Sequence, residues 1–160
     1  MAEHRGSGWF VVNAREAQWR GGSERTPICD FEGDAPFPQV GINLTMLEPG
    51  KLGSLYHAEQ AQEDFLVLSG SCLLLIDGEE RKLRQWDFVH CPPGTPHTLV
   101  ADGGQCLVLQ VGARPAKGIV YPPSKLAQRH GAGVQDETSL VEEAYGERRR
   151  KPIPYGGWLD

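Results

Sequence analysis

Val40, Ile42, Leu44 and Met46 alternate with polar or small residues until Glu48, Pro49 and Gly50 turn the chain. A period of two predicts a strand with one face buried. From Glu63 to Ser69 the pattern changes: Phe65 and Val67 fall on one face, Leu66 and Leu68 on the other. A strand that is apolar on both faces needs a cover on its outer side as well. Gly70 breaks this run and Cys72 to Ile76 resume it. Asp77 and Gly78 then give a strong hairpin signal, so Glu79 to Leu83 is expected to return antiparallel as a more exposed strand. Further strands are predicted over Asp87 to His90, His97 to Ala101 and Gln105 to Val111, with a shorter one at Leu55 to Ala58. Short strands and turns at this rate argue for a sandwich or barrel and against βαβ units.

The flanks read differently. Trp9 to Val12 is a short strand candidate. Asn13 to Trp19 resembles a brief helix, with Asn13 as cap and Glu16 at the capping-box position, and Gly21 and Gly22 stop it. Glu24 to Gln39, broken by Pro27, Gly33, Pro36 and Pro38, reads as loop. Beyond Val111 come an apolar stretch at Gly118 to Tyr121, a turn of helix over Ser124 to His130 capped by Ser124, and another short helix within Thr138 to Tyr145. The expected organisation is one domain: an N-terminal extension over 1–39, a β core over 40–111, and a C-terminal extension over 112–160. That last segment is expected to wrap the core or a partner subunit.

Composition narrows the function classes. A chain of 160 residues with 39% hydrophobic content can bury one substantial core. Its formal charge of −5 gives no global attraction to nucleic acid or to an anionic membrane. Arg148 to Lys151 is a basic cluster, but Glu142, Glu143 and Glu147 lie close by, so a solvated or locally paired surface is expected there. Cys29, Cys72, Cys91 and Cys106 form no CxxC pair and sit in or beside apolar runs, which reads as reduced thiols in a cytoplasmic protein. The N-terminus carries no apolar run of signal or membrane-spanning length. There is no P-loop or dinucleotide fingerprint, so no nucleotide cofactor is expected. His90 and Cys91 are adjacent, but strand neighbours face opposite sides, which argues against a Cys–His pair.

The chemistry-bearing residues are His57, Glu59, Glu63 and His97. On an extended strand His57 and Glu59 point the same way. A bend can return the Glu63 carboxylate to them, and His97 follows a turn built from Pro92 to Pro96. Imidazole nitrogen with carboxylate oxygen suits divalent Zn, Mn, Fe or Ni. The same residues also fit a wet connection through Glu59, Gln60, Gln62 and Glu63, with both histidines in local hydrogen bonds. Spacing alone does not choose between the two.

Two ordered motifs give the chain a family resemblance. Gly50, His57, Glu59, Glu63 and Gly70 resemble the first cupin motif, Gly then His-x-His then Glu then Gly. Trp86, Pro92, Gly94, His97 and Ala101 resemble the second, Gly then Pro-x-Gly-x-x-His then Asn. The chain thus resembles a small single-domain cupin, which implies an all-β double-stranded β-helix, the cupin jelly-roll barrel, with short peripheral helices. Carried over, the family's metal ligands are His57, Glu63 and His97, with Glu59 at the position of a second histidine. Trp86 stands where the family has Gly, and Ala101 where it has Asn. The resemblance implies a divalent metal, a small polar molecule as ligand and a homodimer. It covers both metalloenzymes and non-catalytic binding or structural proteins.

Overall fold

The computed structural model describes residues 3–4, 8–33 and 35–160. Its N-terminal strands are β1 (Glu3–His4), β2 (Phe10–Val11), β3 (Trp19–Gly21) and β4 (Ile28–Cys29). The body contains β5 (Val40–Leu47), β6 (Ala58–Glu59), β7 (Glu63–Ser69), β8 (Ser71–Ile76), β9 (Glu79–Arg84), β10 (Phe88–Cys91), β11 (His97–Ala101) and β12 (Cys106–Ala113). Then follow β13 (Ile119–Val120), α1 (Lys125–Arg129), α2 (Val141–Tyr145) and β14 (Lys151–Ile153). The alternating segments become strands within a residue or two of where they were expected. Leu55 to Ala58 is the exception, since the strand there takes in only Ala58 and Glu59.

Antiparallel pairing builds a seven-stranded sheet in the order β10-β7-β12-β5-β4-β3-β14 and a three-stranded sheet in the order β11-β8-β9. The main core lies between them. Leu47, Phe65, Val67, Val89 and Val108 from the large sheet meet Cys72, Leu74, Leu83 and Leu99 from the small one. Val108 pairs with Thr45 on one side and Val67 on the other, and both valines are completely buried. These inward rows are the alternation of the sequence turned into packing.

The expected closed jelly-roll barrel does not form. Both main sheets have open strand orders, and no sheet closes on itself among the described residues. The reason lies at the edges. The extensions lengthen the large sheet through β4, β3 and β14, and the last of these carries Pro152, which suits an edge because it has no N–H to give a further strand. Between the sheets the chain turns corners without carrying a ladder across. Gly70, at φ +75°, takes β7 directly into β8. A Cβ there would stand 2.3 Å from the Gln105 carbonyl oxygen, so the corner needs glycine.

The outer side of the large sheet carries the second apolar row. Phe88 lies opposite Leu66, Leu66 opposite Leu109, and Leu109 opposite Leu44. Much of this face is covered by the chain's own extensions: Trp19, Phe31, Ile153, Tyr155 and Trp158 pack with Leu44, Met46, Leu68 and Leu107. Asn13 to Trp19 is not the helix its capping pattern suggested. Asn13 instead closes a turn, its side chain accepting from Arg15 N at 3.0 Å and its carbonyl from Glu16 N at 2.9 Å. Trp19 then enters β3 fully buried, and that burial outweighs a short helix's weak propensity. The predicted loop over Glu24 to Gln39 contains β4, which pairs with β5. Ser124 does cap α1, accepting from Ala127 N. Among the described residues no helix is long and apolar enough to cross a membrane.

Candidate metal centre

His57 and His97 are brought face to face by backbone. His57 N donates to His97 O at 3.1 Å and His97 N donates to His57 O at 2.8 Å, a two-bond antiparallel bridge. The imidazole centroids are 4.8 Å apart. Glu63 opens β7, and its Oε2 lies 3.0 Å from His97 Nε2 and 3.5 Å from His57 Nε2. The Pro92–Gly94 turn supports the arrangement from below the second histidine, with Gly94 N donating to Glu59 O at 2.6 Å.

Each histidine is pinned through its other nitrogen. His57 Nδ1 contacts Leu55 O at 2.7 Å and His97 Nδ1 contacts Thr95 O at 2.8 Å. A carbonyl can only accept, so Nδ1 carries the proton in both rings and Nε2 is directed into the site. His97 Nε2 and Glu63 Oε2 are both buried without a hydrogen-bond partner. Their 3.0 Å approach is close enough for an ion pair but is not aligned as a hydrogen bond. Two buried polar atoms aimed at one point without bonding are costly, and a shared cation satisfies both.

The donor spacing fits such an ion. Ligands bound to one ion at ~2.0–2.1 Å stand ~2.8–3.4 Å from each other in octahedral or tetrahedral geometry. His57 Nε2, His97 Nε2 and Glu63 Oε2 all lie within 4.8 Å of one another, with the His97–Glu63 separation of 3.0 Å inside that range and the His57–Glu63 separation of 3.5 Å at its upper edge. Glu59 is more marginal: its Oε1 is 3.7 Å from His57 Nε2, and its side chain is one-third exposed. Two imidazoles and one carboxylate suit zinc, manganese, iron or nickel.

Without an ion, protons balance the charge. Burial alone raises the Glu63 carboxyl, yet the two histidines outweigh it and pull its pKa down to about 2. Burial lowers both imidazoles, and Glu63 reverses this for His57. For His97, contacts with Cys91 and Glu63 do the same and raise the pKa to about 9. Glu59 is raised, first by burial and then by the Glu63 charge.

His57 and Glu63 of the triad, together with Glu59, line a cavity of about 210 Å³. Leu47, Phe65 and Leu99 give it apolar walls, while Thr45, Ser54 and Gln110 add neutral polar groups. Sequence reasoning placed Phe65 with Val67 on one face of their strand. It missed Arg25, Tyr121, Tyr145 and Arg150, all of which line the cavity. No local pattern announces Arg25, and Arg150 lies within the basic cluster expected to be solvated. Tyr56 points elsewhere, packing with Leu75 and Ala127. Cys91 is in the core whereas His90 is exposed, as strand alternation requires.

Residues 43–112 match the family model of the cupin domain. Among solved structures the chain is similar to a sugar phosphate isomerase from Silicibacter pomeroyi, at 22% identity and TM-score 0.58 over 73% of this chain and 88% of that one. It is similar to the polyketide cyclase RemF from Streptomyces resistomycificus, at 19% identity and TM-score 0.58 over 68% and 82% of the respective chains. It is also similar to KdgF from Halomonas sp., at 20% identity and TM-score 0.55 over 64% and 93%. These likenesses are of fold. No curated protein sequence matches the chain.

Proposed function

Residues 43–112 of this chain form a cupin domain, and on that premise we propose that His57, Glu59, Glu63 and His97 hold one divalent ion beside a pocket for a small polar metabolite. The observation that carries the reading is the pair of buried, unpartnered atoms His97 Nε2 and Glu63 Oε2. Both imidazoles are already oriented for ligation by Leu55 O and Thr95 O. Glu59 is the fourth ligand in this proposal, lying on β6 with its carboxylate toward His57.

A bound ion acts as a Lewis acid toward a ligand oxygen or water. The protein's own contribution is orientation and exclusion of solvent: the Phe65 ring packs tilted against His97 at 5.3 Å, and Tyr121 lies 6.1 Å from His57. We read the protein as a cytoplasmic homodimer. Its four buried free cysteines support a reducing compartment, and the exposed apolar side chains of Val40, Ile42 and Phe88 support a second copy on the large sheet.

The test is metal analysis of protein purified without a metal-affinity step. Stoichiometric zinc, manganese, iron or nickel is expected, and folded His57→Ala or His97→Ala protein should lose it. Metal-free wild-type protein after supplementation with each ion sinks the reading and leaves a non-metal binding or structural role. Turnover screening on the loaded protein then separates a receptor from an enzyme. Light scattering across micromolar dilution checks the dimer.

A further inference from the structure

Two arginines share the cavity with His57, Glu59 and Glu63. Arg25 is 93% removed from solvent, and Arg150 is largely buried as well. Neither has a carboxylate within ion-pair distance among the described residues, although Glu59 and Glu63 line the same cavity. Their partners are backbone carbonyls and one hydroxyl. Arg25 donates to Leu52 O, Gly53 O and Arg148 O at 3.3, 3.0 and 3.0 Å. Arg150 donates to Thr26 O at 3.0 Å, to Gly53 O at 2.7 Å and to Thr26 Oγ1 at 3.4 Å.

These bonds fix both guanidinium groups but do not neutralise them. A guanidinium has five N–H donors. Arg25 spends three on the protein, and Arg150 Nη1 meets no protein acceptor among the described residues. Gly53 O accepts from both side chains, which holds the two positive groups side by side. Tyr145 lies beneath Arg25, with the guanidinium carbon 4.4 Å from its ring centroid. A buried, uncompensated cation costs several kcal/mol, and two together cost more. Burial accordingly lowers the pKa of Arg25, and that of Arg150 to about 10.

We propose that Arg25 and Arg150 form an oxyanion subsite within the cavity lined by His57 and Glu63, so that the ligand is a small organic anion. Its carboxylate or phosphate lies on the paired guanidinium groups, and another of its oxygens faces the triad. Guanidinium forks match the planar edge of either anion and form charge-assisted bonds with it. The cavity's volume of about 210 Å³ falls below the ~300–1,000 Å³ of drug-sized sites, which restricts the occupant to a compact metabolite. Arg148, Arg149, Arg20 and Glu142 line an adjoining depression that also includes Arg25 and Arg150; with Arg20 paired to Asp30, the approach still keeps an excess of positive charge in a chain of net charge −5.

This inference deepens the proposed metal site and rests on it for the ligand's second contact. Its test does not require the metal. The full chain is titrated with inorganic phosphate, and separately with acetate, against chloride at matched ionic strength, with the thermal midpoint as readout. Every titration is run on both metal-loaded and chelator-treated protein. At least one oxyanion should raise the wild-type midpoint above the chloride control in both states, the more effective one identifying the group recognised. In folded Arg150→Gln the apparent affinity should weaken by about tenfold or more, the loss of a single strong interaction, with metal stoichiometry unchanged. Arg150→Lys keeps the charge without the fork and should fall between. Wild-type protein indifferent to both oxyanions overturns the proposal. So does Arg150→Gln that loses stability yet keeps the full oxyanion response, since the arginine is then only a strut. Absence of metal from wild-type protein with the oxyanion response intact refutes the metal site alone.

Discussion

Replacing Glu63 by Gln removes the one carboxylate that contacts both histidines while keeping its size. In metal-stripped protein the consequence can be worked from the titration of the cluster. Between the ordinary carboxyl value of 4.5 and the folded value of about 2, the difference corresponds to about 3 kcal/mol favouring the ionised form. Glu63's side chain is only 17% exposed, so solvent screens little of it. A depressed carboxyl contributes its stability above pH ~4.5 and loses it as pH falls toward 2. A histidine raised to about 9 contributes fully below its unfolded value of ~6.5 and loses that contribution as pH rises through 9. The two describe one shared interaction and are not summed. Urea unfolding in chelator should therefore find wild-type stability highest between pH ~4.5 and ~6.5, with losses on both sides. Glu63→Gln should be about 2–3 kcal/mol less stable at pH 6, part of the loss being recovered because a neutral amide costs less to bury than a carboxylate. The variant should also lose most of the decline above pH ~7, because its buried imidazoles keep only the more exposed Glu59 carboxylate, 3.7 Å from His57 Nε2. A variant within ~0.5 kcal/mol of wild type at pH 6, or one keeping both limbs of the profile, would refute the reasoning.

Other sites test the frame. Gly70→Ala places a side chain at φ +75° and 2.3 Å from a backbone oxygen, so it should cost about 2–4 kcal/mol in urea unfolding; a loss below ~1 kcal/mol contradicts the tight corner. Trp86 is two-thirds exposed yet holds φ +73°, so Trp86→Gly should raise the thermal midpoint, through about 0.5–1 kcal/mol of relieved strain. An unchanged or lower midpoint shows that its indole contributes packing. Leu75→Ala, at a completely buried position beside Tyr56 and Ala127, should cost about 3–5 kcal/mol by chemical denaturation. Ser124→Ala should cost about 1 kcal/mol through loss of the α1 cap, read in the same assay.

Trp86 also shows how a departure in sequence becomes meaningful in structure. Its position is where the cupin pattern has glycine, and the backbone there is left-handed, as that glycine implies. The motif's spacing thus carried a conformational requirement that the residue itself disguised.

Local pattern determined much of this protein. Period-two alternation placed β5, and apolar runs between turn signals placed β7 and β8; strand geometry then divided inward from outward side chains, because each strand residue faces one side or the other. Ser124 marked its helix for an equally local reason: a cap needs only a side-chain oxygen within one turn. His57, Glu63 and His97 could be named from motif spacing. Their meeting required the reciprocal bridge between His57 and His97, a contact distant in sequence. Tertiary structure alone decided that the sheets stay open, since edge pairing by β4, β3 and β14 depends on segments far from the core motifs. It alone placed Arg25 and Arg150 in the cavity, because a basic cluster written along the chain does not say which of its members the fold will bury.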